Sequence, residues 1–418
     1  MHCFTYKKSE LYAENVPVRK IADTVGTPVY IYSEKTLLMH LTSYQQAFDG
    51  YPSTICYALK ANSNPAVLRL LAKNGCGADV VSGGELYLAK KAGIPSEKIV
   101  YAGVGKTEDE IAAALKARIL MFNVESSDEL KAIDRVAGKL NVKAPIALRV
   151  NPDIDPKTHP YISTGLKNSK FGIPIENALE YYRLAKKLRN VEVLGIHKHI
   201  GSQITSINPF VDALKRVILL ARNLREQGIE IKNLDIGGGL GITYRDEAPP
   251  LPGDLSGAVM PLLEEGGFNL IVEPGRSIAG NAGICVTRVL YLKRNPEREF
   301  VIVDAGMNDL LRPSLYEAFH DIRPVLKNNR KKVLSDIVGP ICESGDFIAR
   351  ERMINRAVQG DLLAVMSAGA YGFTMSSNYN SRPRAAEVLV RGSDFFVVKE
   401  RESYKDLIRG TKLPAHLK

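Results

Sequence analysis

The stretch CYALKAN, residues 56–62, runs a line of hydrophobic residues up to one ammonium group. A buried cation without a partner is costly, and a lysine so placed escapes the cost through a depressed pKa or a covalent bond. Lys60 is therefore a candidate amine nucleophile. The bland alternative is a stem lying on the protein with its head in solvent. Other stretches bear on the choice: HKHIGSQ carries His199 and Ser202, DIGGGLG carries Gly237, Gly238 and Gly239, and VEPGR carries Glu273, Gly275 and Arg276. Glycine clusters let backbone N–H groups approach an anion closely, although a glycine cluster alone also makes ordinary turns. Glu273 alone reads equally as a capping or ion-paired carboxylate, and His199 alone as a hydrogen-bonded core histidine.

The elements that position these residues are legible as eight short β-rich runs, at 54–60, 78–82, 98–103, 118–124, 144–150, 191–201, 231–239 and 268–275. Segments with helical spacing, such as NPAVLRLLAKNG and ENALEYYRLAKKL, separate them. Strand–helix units in this order predict an α/β fold, an eight-stranded parallel (β/α)8 barrel over residues 30–275. Periodicity cannot see closure, so an open doubly wound sheet is the alternative. In a barrel, active sites lie at the C-terminal strand ends. Lys60 closes the first strand, Asp79 lies on the second, His199 ends the sixth, the three glycines end the seventh, and Glu273 to Arg276 end the eighth.

That joint placement describes pyridoxal 5′-phosphate. Lys60 would bind it covalently, and Glu273 would keep its pyridine nitrogen protonated. His199 would lie on the ring face, with Ser202, the glycines and Arg276 around the phosphate. Asp79 would orient the lysine or the amine that replaces it. Beyond Gly275 the texture changes to strands separated by turns, among them GICVTRVLYLKR, EFVIVDAG and DFFVVKER. A mostly β domain is predicted at 276–418, with residues 1–29 packed on it; the stretch PVYIYS could add a strand to that domain, which the sequence leaves open.

Composition excludes several classes. The chain has 418 residues, 45% of them hydrophobic, enough for a large core. No run reaches the roughly 18 apolar residues of a membrane span, and the start lacks the apolar core of a signal peptide, so a cytoplasmic location is expected. Five scattered cysteines with no C-x-x-C pair indicate neither a disulfide scaffold nor a zinc knuckle. His197 and His199 are the close histidine pair, and no other ligand falls at metal-binding spacing, so no metal is expected. The net charge of +10 is scattered, with small clusters such as KNNRKK that lack interleaved aromatics. This argues against nucleic acid and suits an anionic small molecule.

YALKAN, HIGSQ, DIGGGLG, EPGR, MNDLLRPSLYEA, GPICESGD and GAYGFTMSSNYNSRP occur in this order across essentially the whole chain. In these motifs the sequence resembles the diaminopimelate decarboxylases of the pyridoxal-phosphate-dependent, alanine-racemase-like barrel class. YALKAN and EPGR are shared more loosely with ornithine and arginine decarboxylases. The resemblance implies loss of carbon dioxide from the D-configured centre of meso-diaminopimelate to give L-lysine, the last step of lysine biosynthesis. It also implies a homodimer with shared active sites, in which Cys342 and Glu343 of GPICESGD face the partner subunit's Lys60. Cys342 is then the candidate to return a proton, and Glu343 to take the substrate's distal ammonium. Arg312 has the planar fork for the distal carboxylate, with Tyr316 one turn further on if that stretch is helical. Tyr371 of GAYG matches a tyrosine that contacts cofactor and substrate. Arg276 could serve phosphate or substrate. A decarboxylase of another basic amino acid is the nearer alternative, and lack of an arginine at 312 would have marked it. A non-catalytic cofactor carrier is the other, and it would need neither the β domain nor Cys342.

Overall fold

Polar residues set the rhythm of the barrel half. Asn64, Ser82, Thr107 and Ser126 each accept a backbone N–H at the start of a helix, over Pro65–Lys73, Gly83–Ala92, Glu108–Ala117 and Ser127–Leu140. Each such cap satisfies a donor that helix geometry leaves without a partner. Behind the caps, buried residues recur at helical spacing, as at Leu130, Ile133, Val136 and Ala137, so each helix lays one apolar face on the sheet. The computed structural model describes residues 2–155, 164, 169–264 and 266–417.

The strands between these helices are Ser53–Ala58, Gly77–Val80, Ile99–Tyr101, Met121–Val124, Ala144–Asn151, Val191–His197, Asn233–Asp235 and Asn269–Val272. Each pairs in parallel with the next in chain order, and the last pairs back on the first, with Val272 opposite Ile55. The sheet therefore closes, and the open doubly wound alternative falls. Cys56, Val100, Met121, Ala147 and Ile271, from five different strands, pack into one buried cluster that fills the interior beneath the rim. Full burial of apolar side chains of this kind stabilises the fold by roughly 1.5–3 kcal/mol each. This unit spans Leu37–Ala279.

The other unit comprises Met1–Thr36 and Gly280–Lys418. Its main sheet runs in the order Phe347–Asn355, Lys332–Val338, Glu299–Val303, Gly283–Arg294, Val29–Ser33, Ala386–Arg391 and Asp394–Lys399. The domain limits read from the sequence, 30 and 275, therefore move to 37 and 279. The cause is the strand Val29–Ser33, which pairs with Gly283–Arg294 on one side and Ala386–Arg391 on the other, with all five residues buried. A run buried on both faces reads alike in a parallel barrel and in the centre of a mixed sheet. The strand Phe347–Asn355 escaped the sequence reading because FIARERMIN is an edge strand with charges on its open face. No helix among the described residues is long and apolar enough to cross a membrane.

Candidate active site

Lys60 stands on a single 3-10 turn, Leu59–Ala61, directly after the first barrel strand. Its Nζ donates to Asp79 Oδ2 at 2.5 Å. The Asp79 side chain is fully buried and that of Lys60 is 37% exposed, so the amine ends on an interior carboxylate rather than in solvent. Burial lifts the Asp79 carboxyl, the negative charge of Glu273 lifts it further, and the Lys60 ammonium opposes both. Glu85 lies in the first turn of the helix Gly83–Ala92 and accepts the Val81 N–H at 2.8 Å. Burial pushes its carboxyl up to about 7.

Across the barrel, Glu273 follows the eighth strand, and its backbone N–H donates to the Gly237 carbonyl at 2.9 Å. Glu273 Oε1 accepts from Asn123 Nδ2 at 3.2 Å, and Oε2 lies 3.4 Å from His197 Nε2. The same Asn123 nitrogen donates to Asp235 Oδ2 at 3.1 Å. Two carboxylates this close cannot both ionise cheaply. Burial works to raise Glu273, yet His197 and Lys60 outweigh it and hold the carboxyl well below the usual range. Burial and the Glu273 charge drive Asp235 well above that range. These opposed shifts favour the negative charge on Glu273 and the proton on Asp235. Donor atoms of His197, Asp235 and Glu273 all lie within 4.8 Å of one another, a set that sequence spacing misses because each comes from a different strand. The amide donor shared by both carboxylates makes it a hydrogen-bonded cluster.

The sixth strand ends at His197, and Lys198 and His199 follow it directly. His197 faces the carboxylates, while the Lys198 ammonium packs over the Phe210 ring at 5.3 Å and is pulled down to about 7 by burial. His199 Nδ1 accepts the Gly238 N–H at 3.2 Å, which requires a lone pair there. Burial, reinforced by Arg149 and Lys60, depresses its basicity well below the ordinary value, so the ring is neutral and its Nε2 carries the hydrogen. Gly237 donates its own N–H to Asp235 Oδ1 at 2.9 Å. Two of the three glycine N–H groups assigned from sequence to an anion are thus committed within the protein. Close packing adds a second demand for glycine here: Gly237 has φ +65°, and a Cβ there would lie 2.7 Å from the Lys198 carbonyl oxygen.

Arg276 begins the short helix after the eighth strand and is buried. Its Nε and Nη2 donate to Ser202 Oγ at 3.2 and 2.9 Å, and its Nη1 to the Tyr244 hydroxyl at 2.7 Å. Gln203 zips the Ser202 loop to the loop after the seventh strand by bonding the Ile242 carbonyl and N–H at 2.6 and 3.1 Å. Gly275 packs against the Cβ atoms of Ala58 and Ala61, beside Lys60. An amine on a buried carboxylate, an ionised Glu273 and an Arg276–Ser202 pair fit the donor set that pyridoxal phosphate needs.

The β unit holds the other sequence candidates. Arg312 is buried and opens the helix Arg312–Tyr316, so the helical condition placed on Tyr316 is met. Asp346 accepts from Ile341 N–H through Oδ2 and from Met307 N–H through Oδ1, each at 2.6 Å. It thereby ties the GPICESGD loop to the MNDLLRP segment. Cys342 is exposed, with its N–H on Asn380 Oδ1 at 2.8 Å. Burial pushes the Cys76 thiol up to about 12 and those of Cys56 and Cys285 well above their ordinary value. Glu343 Oε2 accepts from the Tyr379 hydroxyl at 3.4 Å. Tyr371 is held at φ +55°, a conformation costing a bulky residue about 1–3 kcal/mol and typical of functional turns. Asn123, Asp235, Tyr244 and His320 were missed from sequence, since each is a lone polar residue that only the fold brings to a partner.

Residues 34–280 match the family model described as pyridoxal-dependent decarboxylase, pyridoxal binding domain. The chain is 55% identical to a diaminopimelate decarboxylase of Aquifex aeolicus over 96% of both chains. It is 51% identical to that of Pseudomonas aeruginosa over 99% of both. Among solved structures, diaminopimelate decarboxylase from M. jannaschii in complex with L-lysine superimposes with a TM-score of 0.95 at 42% identity, covering 99% of this chain and 98% of that one.

Proposed function

The chain belongs to the diaminopimelate decarboxylases, within the pyridoxal-dependent decarboxylase family, and from this premise we propose how its own residues divide the work. It removes one carboxyl group from diaminopimelate and releases lysine, the last step of lysine biosynthesis. Pyridoxal phosphate, when bound, supplies an aldehyde that condenses with amines and a ring that accepts the electron pair a departing carboxyl group leaves behind.

Lys60 is the residue that would carry the cofactor, and Asp79 aims its Nζ. The ionised Glu273 would hold a protonated pyridine nitrogen, its charge secured by Asn123 and by the proton on Asp235. Neutral His199 would lie against the ring, and Ser202 and Arg276 would bind the phosphate. Arg312 would take the substrate's distal carboxylate, Glu343 its distal ammonium, and Tyr316 and Tyr371 would line that end. A buried guanidinium rejects ligands that leave it unpaired, which sets diaminopimelate apart from ornithine. Cys342 would return the proton: its S–H bond breaks and a C–H bond forms where carbon dioxide has left, at the D-configured centre. Exposure of Cys342, beside three fully buried thiols, supports its reaching the barrel of a second copy, so we place the shared site in a homodimer. Five unpaired cysteines fit a reducing, cytoplasmic setting.

The observation that carries the chemistry is the Lys60 amine seated on a buried carboxylate at the C-terminal rim of a closed barrel. The test is lysine release from meso-diaminopimelate by the purified protein with added pyridoxal phosphate, beside ornithine, arginine and lysine as substrates. Lysine formed from diaminopimelate, with the other acids intact, is the expected result. Decarboxylation of another acid with diaminopimelate untouched would overturn the assignment of the distal pocket.

A further inference from the structure

Arg312 is held by a histidine whose protonation state is fixed by its partners. His320 is fully buried, eight residues along the chain, with Nε2 2.9 Å from Arg312 Nη1 and Nδ1 2.8 Å from the Met366 carbonyl oxygen. A carbonyl only accepts, so Nδ1 bears the hydrogen. A guanidinium only donates, so Nε2 presents its lone pair. One tautomer of neutral imidazole satisfies both bonds. The ring is itself clamped, because the Met366 N–H donates to the Asp321 carbonyl at 2.9 Å, binding the segment that carries His320 to the end of the strand Leu362–Val365. Arg312 thus has one edge of its fork tied to a rigid acceptor.

We infer that His320 is the positioning residue that aims the Arg312 guanidinium at the substrate's distal carboxylate, and so shares in setting specificity. This rests on the reading of Arg312 given above. A long cation free to rotate loses part of its advantage to conformational entropy, whereas one tied at Nη1 presents its remaining donors in a fixed fork. Removing the acceptor would also take the His320 bond from a buried N–H of Arg312 and loosen the hold on its rotamer.

Ligands that differ in one group separate this role from a general structural one. L-lysine keeps the distal ammonium and carboxylate of diaminopimelate, and cadaverine keeps the amines without the carboxylate. Each is titrated into the holoenzyme and followed by the change in cofactor absorbance. His320→Leu is expected to weaken L-lysine binding on the order of tenfold or more, the usual scale for loss of an orienting partner, with cadaverine binding unchanged. The KM for diaminopimelate should rise by a similar factor, with a smaller fall in kcat. His320→Gln, which can return an acceptor to Nη1, should recover most of the loss, and His320→Asn should not. Equal weakening of L-lysine and cadaverine, or no rescue by glutamine, would overturn the inference. Arg312→Ala separates the two levels: if it abolishes L-lysine binding while His320→Leu leaves it intact, only the role of His320 falls. If Arg312→Ala itself leaves L-lysine binding intact, the assignment of Arg312 falls first and takes this one with it.

Discussion

Gly237→Ala tests whether the turn after the seventh strand is a precision part. Gly237 sits at φ +65°, where an alanine pays about 1–2 kcal/mol for the left-handed conformation. An added Cβ would lie 2.7 Å from the Lys198 carbonyl oxygen and 2.8 Å from His199 Nδ1, inside the 3.0 Å limit that real Cβ atoms respect. Relief requires moving the backbone or the imidazole by several tenths of an ångström, and overpacking of this kind costs a further ~1–3 kcal/mol. The residue cannot move alone: its N–H bonds Asp235 Oδ1 and its carbonyl accepts the Glu273 N–H, each at 2.9 Å. A destabilisation of about 2–5 kcal/mol is therefore expected, together with a fall in kcat/KM of roughly tenfold to a hundredfold as His199 and Glu273 shift. Thermal unfolding and steady-state lysine release measure the two effects. Gly257→Ala is the control, because Gly257 lies within the helix Pro252–Glu264 with open space around it. That variant should be stabilised by about 0.5–1 kcal/mol with full activity. A Gly237→Ala protein with unchanged melting temperature and kcat/KM would refute the claim that backbone packing at this turn positions the site.

Lys60→Ala should abolish covalent cofactor attachment, read as loss of the visible absorbance of the lysine-bound cofactor after gel filtration; an unchanged spectrum would remove Lys60 from its role. Cys342→Ala and Lys60→Ala proteins, each inactive, should regain partial activity when mixed, and no recovery under proven subunit exchange would place the whole site in one chain. Glu85 has a folded pKa of about 7, above the ordinary 4.5, so its stabilising contribution is complete below about 4.5 and is lost as pH rises through 7. Glu85→Gln keeps an acceptor for Val81 N–H and should flatten the decline of melting temperature across that window; parallel curves for the two proteins would refute the burial argument.

The sequence made the barrel legible because its strands are separated by helices with capping residues, and each signal is local. What it could not disclose was closure, which depends on Val272 meeting Ile55 more than two hundred residues away. The same distinction divides the site. Lys60, His199, the glycines, Glu273 and Arg276 could be named because strand ends in a barrel have a fixed destination. Asn123 and Asp235 occupy equivalent strand positions, yet an asparagine or aspartate in a strand carries no mark of what lies opposite. Their contacts with Glu273 span 150 and 38 residues of chain and exist only after the barrel shuts. His320 hid for another reason: its partners are a side chain eight residues away and the carbonyl of Met366, just past the strand Leu362–Val365, and neither bond follows a helical or strand period.

These late-found residues explain how a barrel rim can bury so much charge. Lys60, Asp79, Asp235, Glu273 and two histidines converge at one end of the barrel, and an isolated ion in such a place would cost several kcal/mol. The cost is contained by giving each group a different state. Asp79 takes the ammonium of Lys60, Asp235 takes a proton, His199 stays neutral by accepting from Gly238, and Glu273 alone keeps its full charge against Asn123 and His197. Had Asp235 and Glu273 matching environments, the proton would be shared and neither carboxylate would be a dependable anion. The backbone N–H of Gly237 bonds Asp235 and the amide of Asn123 reaches both, so the asymmetry comes from other neighbours, Lys60 among them. His197 is another, standing on the Glu273 side at 3.4 Å. With Lys198 turned toward Phe210 and His197 beside Glu273, the Lys60 ammonium completes what favours one negative charge where a protonated ring nitrogen would need it.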